Sequence, residues 1–538
     1  MTRPARARWF SPRWSIPAGL FLATFITIAV TAGGYGVTWD EPPYFHASDL
    51  HTRWILDFGK NLARGNAGDS LQDDAIKAAW RWDPYHVPHP PFSRIVSGVT
   101  KALAYPTIDK FTAYRLGPAL FFALLVTCVY LWMTDLFGLP TGIFAALTVA
   151  VIPNLFAFAH IAVTDMPLAS MWFLTAYCFW RGLKSWKWSA VLGLVWGLAL
   201  ATKFPAVLIP IPLILWAHLF YRHSYANNVF ALLFVGPVVM ILSQPHLWHQ
   251  PGVRILEFLF EGLSRGYRPE TSFTVFFLGQ LYQTNQLPWY YPFFIVAIAT
   301  PEFVLALALL AVVCIVFFRE RFPAMMLFLV NAVFILLMGI MPGAVLHDGV
   351  RQLLSAFPFL AALAGGGFYL IVRFSIKLGE RSSSLPTVKD LQGKIPAVLI
   401  VLFLFHATLD LYLSHPYQLS YYNRLVGGIR GAYSRGWEMT YFGEAFTPSL
   451  LRYLNEKLPP NAAINASFAN FLFEYYQQEG RLRGDIVITA NESFDYYLLL
   501  NRRSVLSPPE RALLRSAEPA MTIDIAGVPL VAVFKRAR

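Results

Sequence analysis

Cysteine is almost missing from this chain: 3 in 538 residues, and Cys128, Cys178 and Cys314 all fall inside apolar runs. That excludes a disulfide-stapled scaffold and leaves the redox compartment open. Charge is scarce too, at 14% of residues against 56% hydrophobic, with a mean hydropathy of +0.48. No soluble globular domain needs that much apolar surface. Acid is the rarer sign, 31 Asp and Glu against 43 Lys and Arg, a net charge of +12. Many of the basic residues lie in short connections between apolar runs, which points to anionic lipid headgroups as their counterpart, not nucleic acid. There is no internal repeat, no P-loop, no dinucleotide-binding glycine fingerprint and no trustworthy Ser-His-Asp spacing.

Long apolar runs fill the chain instead. A membrane span needs about 20 apolar residues, and eleven candidates follow. They are Pro17–Val37, Leu116–Phe137, Gly142–Ala159, Met166–Arg181, Trp188–Thr202, Pro205–Tyr221, Asn228–Ser243, Pro292–Phe318, Pro323–Met341, Leu353–Arg373 and Ile395–Leu413. The first is too long and unbroken for a signal peptide and reads as a retained span. The expected fold class is therefore a polytopic all-α membrane protein with a small C-terminal α/β domain. Residues 1–413 form the membrane domain, with outer loops 38–115 and 243–291, and residues 414–538 the soluble domain. Within the tail, Pro448–Leu458 and Asn470–Glu479 read as helices, and Ala462–Ala466 and Asp485–Thr489 as strands. Thr522–Ile525 and Leu530–Phe534 read as a hairpin.

Lys and Arg in the short connections set the orientation. Arg3, Arg6, Arg8 and Arg13 precede the first span, Arg181, Lys184 and Lys187 follow the fourth, and Arg373 to Lys394 fill the segment before the last. All fall on one side when the N-terminus is cytoplasmic, and an odd span count puts the tail outside. The remaining ionisable residues at span ends, Asp40, Asp165, Lys203, His246, His347, Asp348 and Arg351, then crowd the outer face. A transporter or flippase of lipid-linked glycans, the alternative class, is expected to carry such groups through the bilayer depth.

Asp40-Glu41-Pro42-Pro43 stands directly beyond the first run. Ionisable groups at a membrane rim mark functional cavities, although a helix stop is the plainer reading. Pro42 is expected to hold Glu41 out of the helical region, leaving Asp40 to close the span or cap the turn. Asp83-Pro84-Tyr85-His86-Val87-Pro88-His89-Pro90-Pro91-Phe92-Ser93-Arg94 is a stiff run presenting His86 and His89 together. Their spacing fits no standard zinc pattern. No cofactor is expected, with a divalent metal as the minor alternative. Phe92–Tyr105 reads as an interfacial amphipathic helix. Asp165 is a span N-cap or a catalytic acid. Lys203 and Arg351 are headgroup anchors or phosphate ligands.

The acidic pair, the His-Pro-Pro element and Thr164-Asp165-Met166-Pro167 together resemble the protein O-mannosyltransferase family and its bacterial aminoarabinose-transferase relatives. These are membrane glycosyltransferases of the C-type fold. His415-Pro416-Tyr417-Gln418-Leu419-Ser420-Tyr421-Tyr422-Asn423 with Gly427-Gly428 resembles bacterial members. The resemblance implies transfer of a sugar from a polyprenyl-phosphate carrier to a lipid, glycan or protein acceptor at the outer face of the bacterial cytoplasmic membrane. It implies Asp40 as base, with Glu41 beside it, and Asp165 orienting acceptor or sugar. Lys203, Arg351 and Arg94 would hold the phosphate, and His86, His89, His347 and Asp348 would contact substrate.

Overall fold

The computed structural model describes residues 12–81, 89–268, 272–318, 322–382 and 386–536. Among the described residues, four helices are long and apolar enough to cross a membrane: Trp14–Gly34, Lys110–Phe137, Arg351–Lys377 and Lys394–Ser414. Six shorter apolar helices accompany them. With Asp165–Gly182, every one of the eleven predicted runs holds helix. The chain is an integral membrane protein.

Lys110–Phe137 is the hub. It packs on Pro12–Thr31, Phe92–Ala104, Leu139–Val151 and Asp165–Gly182, and buries Trp132, Met133 and Phe122 almost completely. Pro12–Thr31 and Pro386–Ser414 are peripheral and leave Leu22, Val30, Val401 and Phe405 exposed, as expected of side chains facing lipid.

Three local expectations change. Pro292–Phe318 is not one span: it breaks into Tyr291–Ala299 and Glu302–Phe318. Pro301 disfavours helix at Thr300, which is extended at φ −100° and ψ 133°, as the ring's clash with its predecessor dictates. The carbonyls released there are collected by Asn423, whose Nδ2 donates to the oxygens of Ala297 at 2.8 Å and Thr300 at 2.7 Å. Phe92–Ala104 is helical but does not float on the surface by an apolar face. Its small and polar face, Ser93, Arg94, Ser97, Gly98 and Thr100, is the buried one, while Leu103 is exposed. Small residues let membrane-protein backbones approach closely. Finally, Glu41 opens the helix Glu41–Ala63 instead of lying outside it. Its first turn has no intrahelical N–H acceptors to lose, so prolines there cost little.

The tail builds a mixed five-stranded sheet. The hairpin strands β1 (Thr274–Phe277) and β2 (Gln280–Gln283) precede it in the chain. The sheet itself comprises β3 (Ala463–Asn465), β4 (Val487–Ile488), β5 (Tyr496–Leu500), β6 (Met521–Ile525) and β7 (Val528–Lys535), in the order β4-β3-β5-β7-β6. β3 runs parallel to β4 and β5, and β7 antiparallel to β5 and β6. This α/β unit sits on the membrane region beside the first span. Val37 N donates to Tyr476 Oη at 2.5 Å and Trp39 N to Phe442 O at 3.0 Å. Lys110 pairs with Glu479 at 2.7 Å.

Candidate functional site

The segment from Thr38 to Glu41 sends its two carboxylates in different directions. Glu41 is fully buried and bonded on both oxygens. It accepts from Arg115 Nε at 2.8 Å and Nη2 at 2.7 Å, and from the main chain of Thr38 at 2.9 Å and Ala162 at 3.0 Å. No room is left for a substrate proton, which corrects the expectation that Glu41 is catalytic. It is a clamp, and its partner Arg115 also donates to the carbonyls of Ala32, Tyr35 and Gly36 that end the first span.

Asp40 sits at the N-cap position of Glu41–Ala63 but makes no side-chain cap bond. Its Oδ2 accepts from Arg351 Nη2 at 2.5 Å, and its side chain keeps 28% exposure. Arg351 stands at the head of the tenth run. There Asp348, at φ +57°, and Gly349, at φ +64°, reverse the chain in left-handed conformation, which Asp and Gly tolerate best. A Cβ at Gly349 would come within 2.9 Å of the Tyr441 ring. The turn folds Asp348 back onto Arg351, with Oδ2 3.2 Å from Nη1. The third nitrogen of Arg351, Nε, meets Asp165 Oδ2 at 3.2 Å.

Asp165 is not the N-cap of its helix: Thr164 is, and Asp165 is the first helical residue. Its other oxygen accepts from Lys203 Nζ at 2.7 Å, and Lys203 also donates to Gln352 Oε1 at 3.2 Å. Asp165 and Lys203 are nearly inaccessible, at 1% and 5% of side-chain area. Asp348 is equally buried and bonded to His347 Nδ1 at 2.5 Å. Arg502, from just beyond β5, lies 3.0 Å from its other oxygen. Burial alone would raise the Asp348 value. His347, Arg502 and Arg351 outweigh it and hold the carboxyl well below the ordinary range.

Asp40, Asp165, Lys203 and Arg351, from four separate runs, thus meet in one ionic cluster. Three placements differ from expectation. Arg351, expected on a phosphate, meets a carboxylate at each of its three nitrogens and holds Asp40 in place. Asp348 is enclosed by cations and cannot reach substrate. His347 is bonded to Asp348 and packs on Phe273, ring centres 4.4 Å apart, which makes it a support for that loop.

On the other flank, burial pulls the His89 imidazole far below its ordinary value, with Lys203, Arg265, Arg351 and Arg94 adding to the effect. Both effects favour the uncharged imidazole. Arg94 Nη2 donates to the His89 carbonyl at 2.5 Å. His86 lies outside the described residues. Among the described residues no three His, Cys, Asp or Glu are grouped to hold a metal ion.

Arg115, Arg265, Gln352 and Arg502 escaped the sequence reading. A buried Glu41 demands a cation, which was the available signal for Arg115. Arg265 follows an amphipathic helix, Pro251–Ser264, that buries none of its residues. Arg265's environment includes Tyr44, Arg351 and Asp40, and no spacing rule relates these positions.

The sequence model of the dolichyl-phosphate-mannose-protein mannosyltransferase family matches residues 89–249. That stretch contains His89, Arg94, Asp165 and Lys203, so the family resemblance carried by the motifs is borne out over it. No curated protein matches the sequence. Among solved structures, ArnT from Cupriavidus metallidurans in the apo state is similar at 15% identity with a TM-score of 0.48. The alignment covers 96% of this chain and 97% of ArnT. Its form bound to undecaprenyl phosphate gives 0.46 at 15% identity over the same shares. The Archaeoglobus fulgidus oligosaccharyltransferase tethered with an acceptor peptide gives 0.46 at 13% identity, covering 91% of this chain and 61% of that one. None of these likenesses bears on individual residues of the site.

Proposed function

We propose that the chain is a membrane glycosyltransferase that moves a sugar from a polyprenyl-phosphate carrier to an acceptor hydroxyl or phosphate. The observation that carries this reading is the contrast among three carboxylates in one ionic cluster. Asp165 and Asp348 are sealed in by cations, while Asp40 alone keeps substantial exposure. A base needs that access, and Arg351 fixes its direction.

In the proposed step with a hydroxyl acceptor, the acceptor O–H gives its proton to Asp40. Its oxygen bonds to the anomeric carbon as the bond from that carbon to the carrier oxygen breaks. The phosphate leaves with the electron pair, and cations must hold its charge. Lys203, Arg94 and Arg265, whose charges all act on His89, are the groups suited to that. His89 itself can exchange hydrogen bonds with the sugar without adding charge. Membrane lipid surrounds the carrier's tail, and neither cofactor nor nucleic acid enters this scheme. The rival transporter reading would set charged groups at mid-bilayer, whereas the ionic cluster Asp40, Asp165, Lys203 and Arg351 is drawn from span ends.

Lys203→Gln is expected to raise the apparent KM for the lipid-phosphate donor, lower kcat, or both, with acceptor dependence little changed. Arg351 still neutralises Asp165 in that variant, so the fold should persist. Steady-state kinetics with donor varied decides the point, and unchanged donor dependence would return Lys203 to a structural ion pair.

The sidedness of the scheme is part of the proposal: N-terminus cytoplasmic, α/β tail outside the cytoplasmic membrane. Glu518, exposed just before β6, is a suitable reporter. Glu518→Cys should react with a membrane-impermeant thiol reagent in intact spheroplasts. Labelling only after lysis would reverse the orientation.

A further inference from the structure

Asn501-Arg502-Arg503 follows directly on strand β5, and the two arginines point to different places. Arg502 reaches into the ionic cluster. Arg503 turns the other way, into a cavity of about 650 Å³ between the β1–β2 hairpin and the α/β unit. That volume lies within the range of small-molecule sites, about 300–1,000 Å³. Arg435, Arg511 and Arg515 line the same cavity, and no Asp or Glu does.

Main-chain carbonyls anchor three of the four guanidiniums. Arg503 Nη1 donates to Tyr433 O at 2.9 Å, and its guanidinium stacks 3.9 Å from the Tyr433 ring centre. Arg511 donates to the carbonyls of Leu506 at 3.0 Å and Arg503 at 2.9 Å, and lies 5.8 Å from the Phe276 ring centre. Arg435 donates to the carbonyl of Val426. Among the described residues none of the four forms an ion pair with a carboxylate. Each guanidinium has five N–H donors, so most remain for a ligand after these main-chain bonds. Arginines meant only to keep a surface soluble have no reason to converge on one concavity held by carbonyls. Four like charges at close quarters repel one another until an anion enters. Planar forks favour phosphate oxygens, which accept two parallel bonds at once.

We infer that this cavity is a second anion site, outside the reaction centre, for a phosphate or pyrophosphate ester carrying two or more negative charges. The inference stands on the cavity itself and does not depend on the role given to Asp40. The ester can come from an anionic lipid headgroup or from a free phosphorylated molecule, and the two sources separate in the test.

Binding of radiolabelled pyrophosphate to the purified full-length protein in detergent, by equilibrium dialysis at low ionic strength, is the direct measurement. Arg435→Gln/Arg515→Gln removes the two exposed members and leaves the half-buried pair in place, so folding should survive. Binding at this site is expected to weaken about tenfold or more, since a charge-assisted bond contributes about 1.5–3 kcal/mol. Lys203→Gln should leave it unchanged. In nanodiscs containing cardiolipin, whose headgroup carries two phosphates, loss of co-purifying anionic lipid in the double variant, without pyrophosphate binding to the parent, would identify a headgroup as the source. Equal pyrophosphate binding and equal lipid retention in parent and variant would overturn the inference. So would pyrophosphate binding that Lys203→Gln abolishes and the arginine variant spares.

Discussion

Asp40→Asn is expected to insert and fold as the parent does and to lose about 10²–10⁴-fold in turnover, the usual worth of a positioned base. The isosteric amide keeps the shape of the rim and removes the proton acceptor. Folding should survive for a specific reason. Arg351 loses one of its three carboxylates but keeps Asp165 and Asp348, both buried beside it, so no unpaired charge is stranded in the interior. Asp40 is also the one of the three carboxylates with the greatest access to water, at 28% against 1% for Asp165 and 3% for Asp348. Turnover of a radiolabelled lipid-phosphate sugar by purified protein is the measurement, with scanning fluorimetry in detergent to check integrity. Near-parental turnover would remove Asp40 from the chemistry and leave it as the end of a helix. Asp165→Asn provides the contrast. It leaves Lys203 with only Gln352 and should reduce accumulation of the protein as well as its rate.

The difference between the two aspartates could not be read from the sequence. Both stand at span ends, and hydropathy locates both correctly; burial and the number of cations around each separate them. The same holds for the pair Asp40-Glu41. Adjacent carboxylates look equivalent until Arg115 and the Ala162 N–H claim one of them. Spans were legible because an apolar run long enough to cross lipid has few other uses. Hydropathy is blind to breaks inside an apolar run: Gly142–Ala159 divides at Ile152, and Pro292–Phe318 divides where Asn423, more than a hundred residues away, satisfies the carbonyls. In the tail, alternating and turn-bounded strands were found, whereas β5, Tyr-Tyr-Leu-Leu-Leu, was missed. It is central and largely buried, so its sequence shows no alternation. Helix Pro508–Ser516 was missed despite a full capping box, Ser507 with Glu510. The site's cations from distant loops, Arg265 and Arg502, carried no local signal at all.

Arg115→Met is expected to produce the largest loss of stability of any single change near the site, about 3–5 kcal/mol for one partner of a buried pair. Arg115 is 1% exposed and Glu41 not at all. Methionine fills much of the volume of the arginine stem. It leaves the Glu41 carboxylate held only by neutral N–H groups, and three carbonyls at the end of the first span without their donor. The consequence is positional as well as energetic. Those carbonyls and Glu41 bracket Thr38 and Asp40, so loosening them frees the proposed base from its register. Glu41→Gln strands the other charge and should also destabilise. In Glu41→Gln/Arg115→Met neither charge remains. The double variant is therefore expected to lose less than the sum of the two single losses, because residues sharing one contact couple. Thermal unfolding of the purified proteins in detergent, followed by intrinsic tryptophan fluorescence, gives all four values. A strictly additive cycle, or an Arg115→Met protein as stable as its parent, would show that the pair is not what holds the Asp40 segment against the membrane helices.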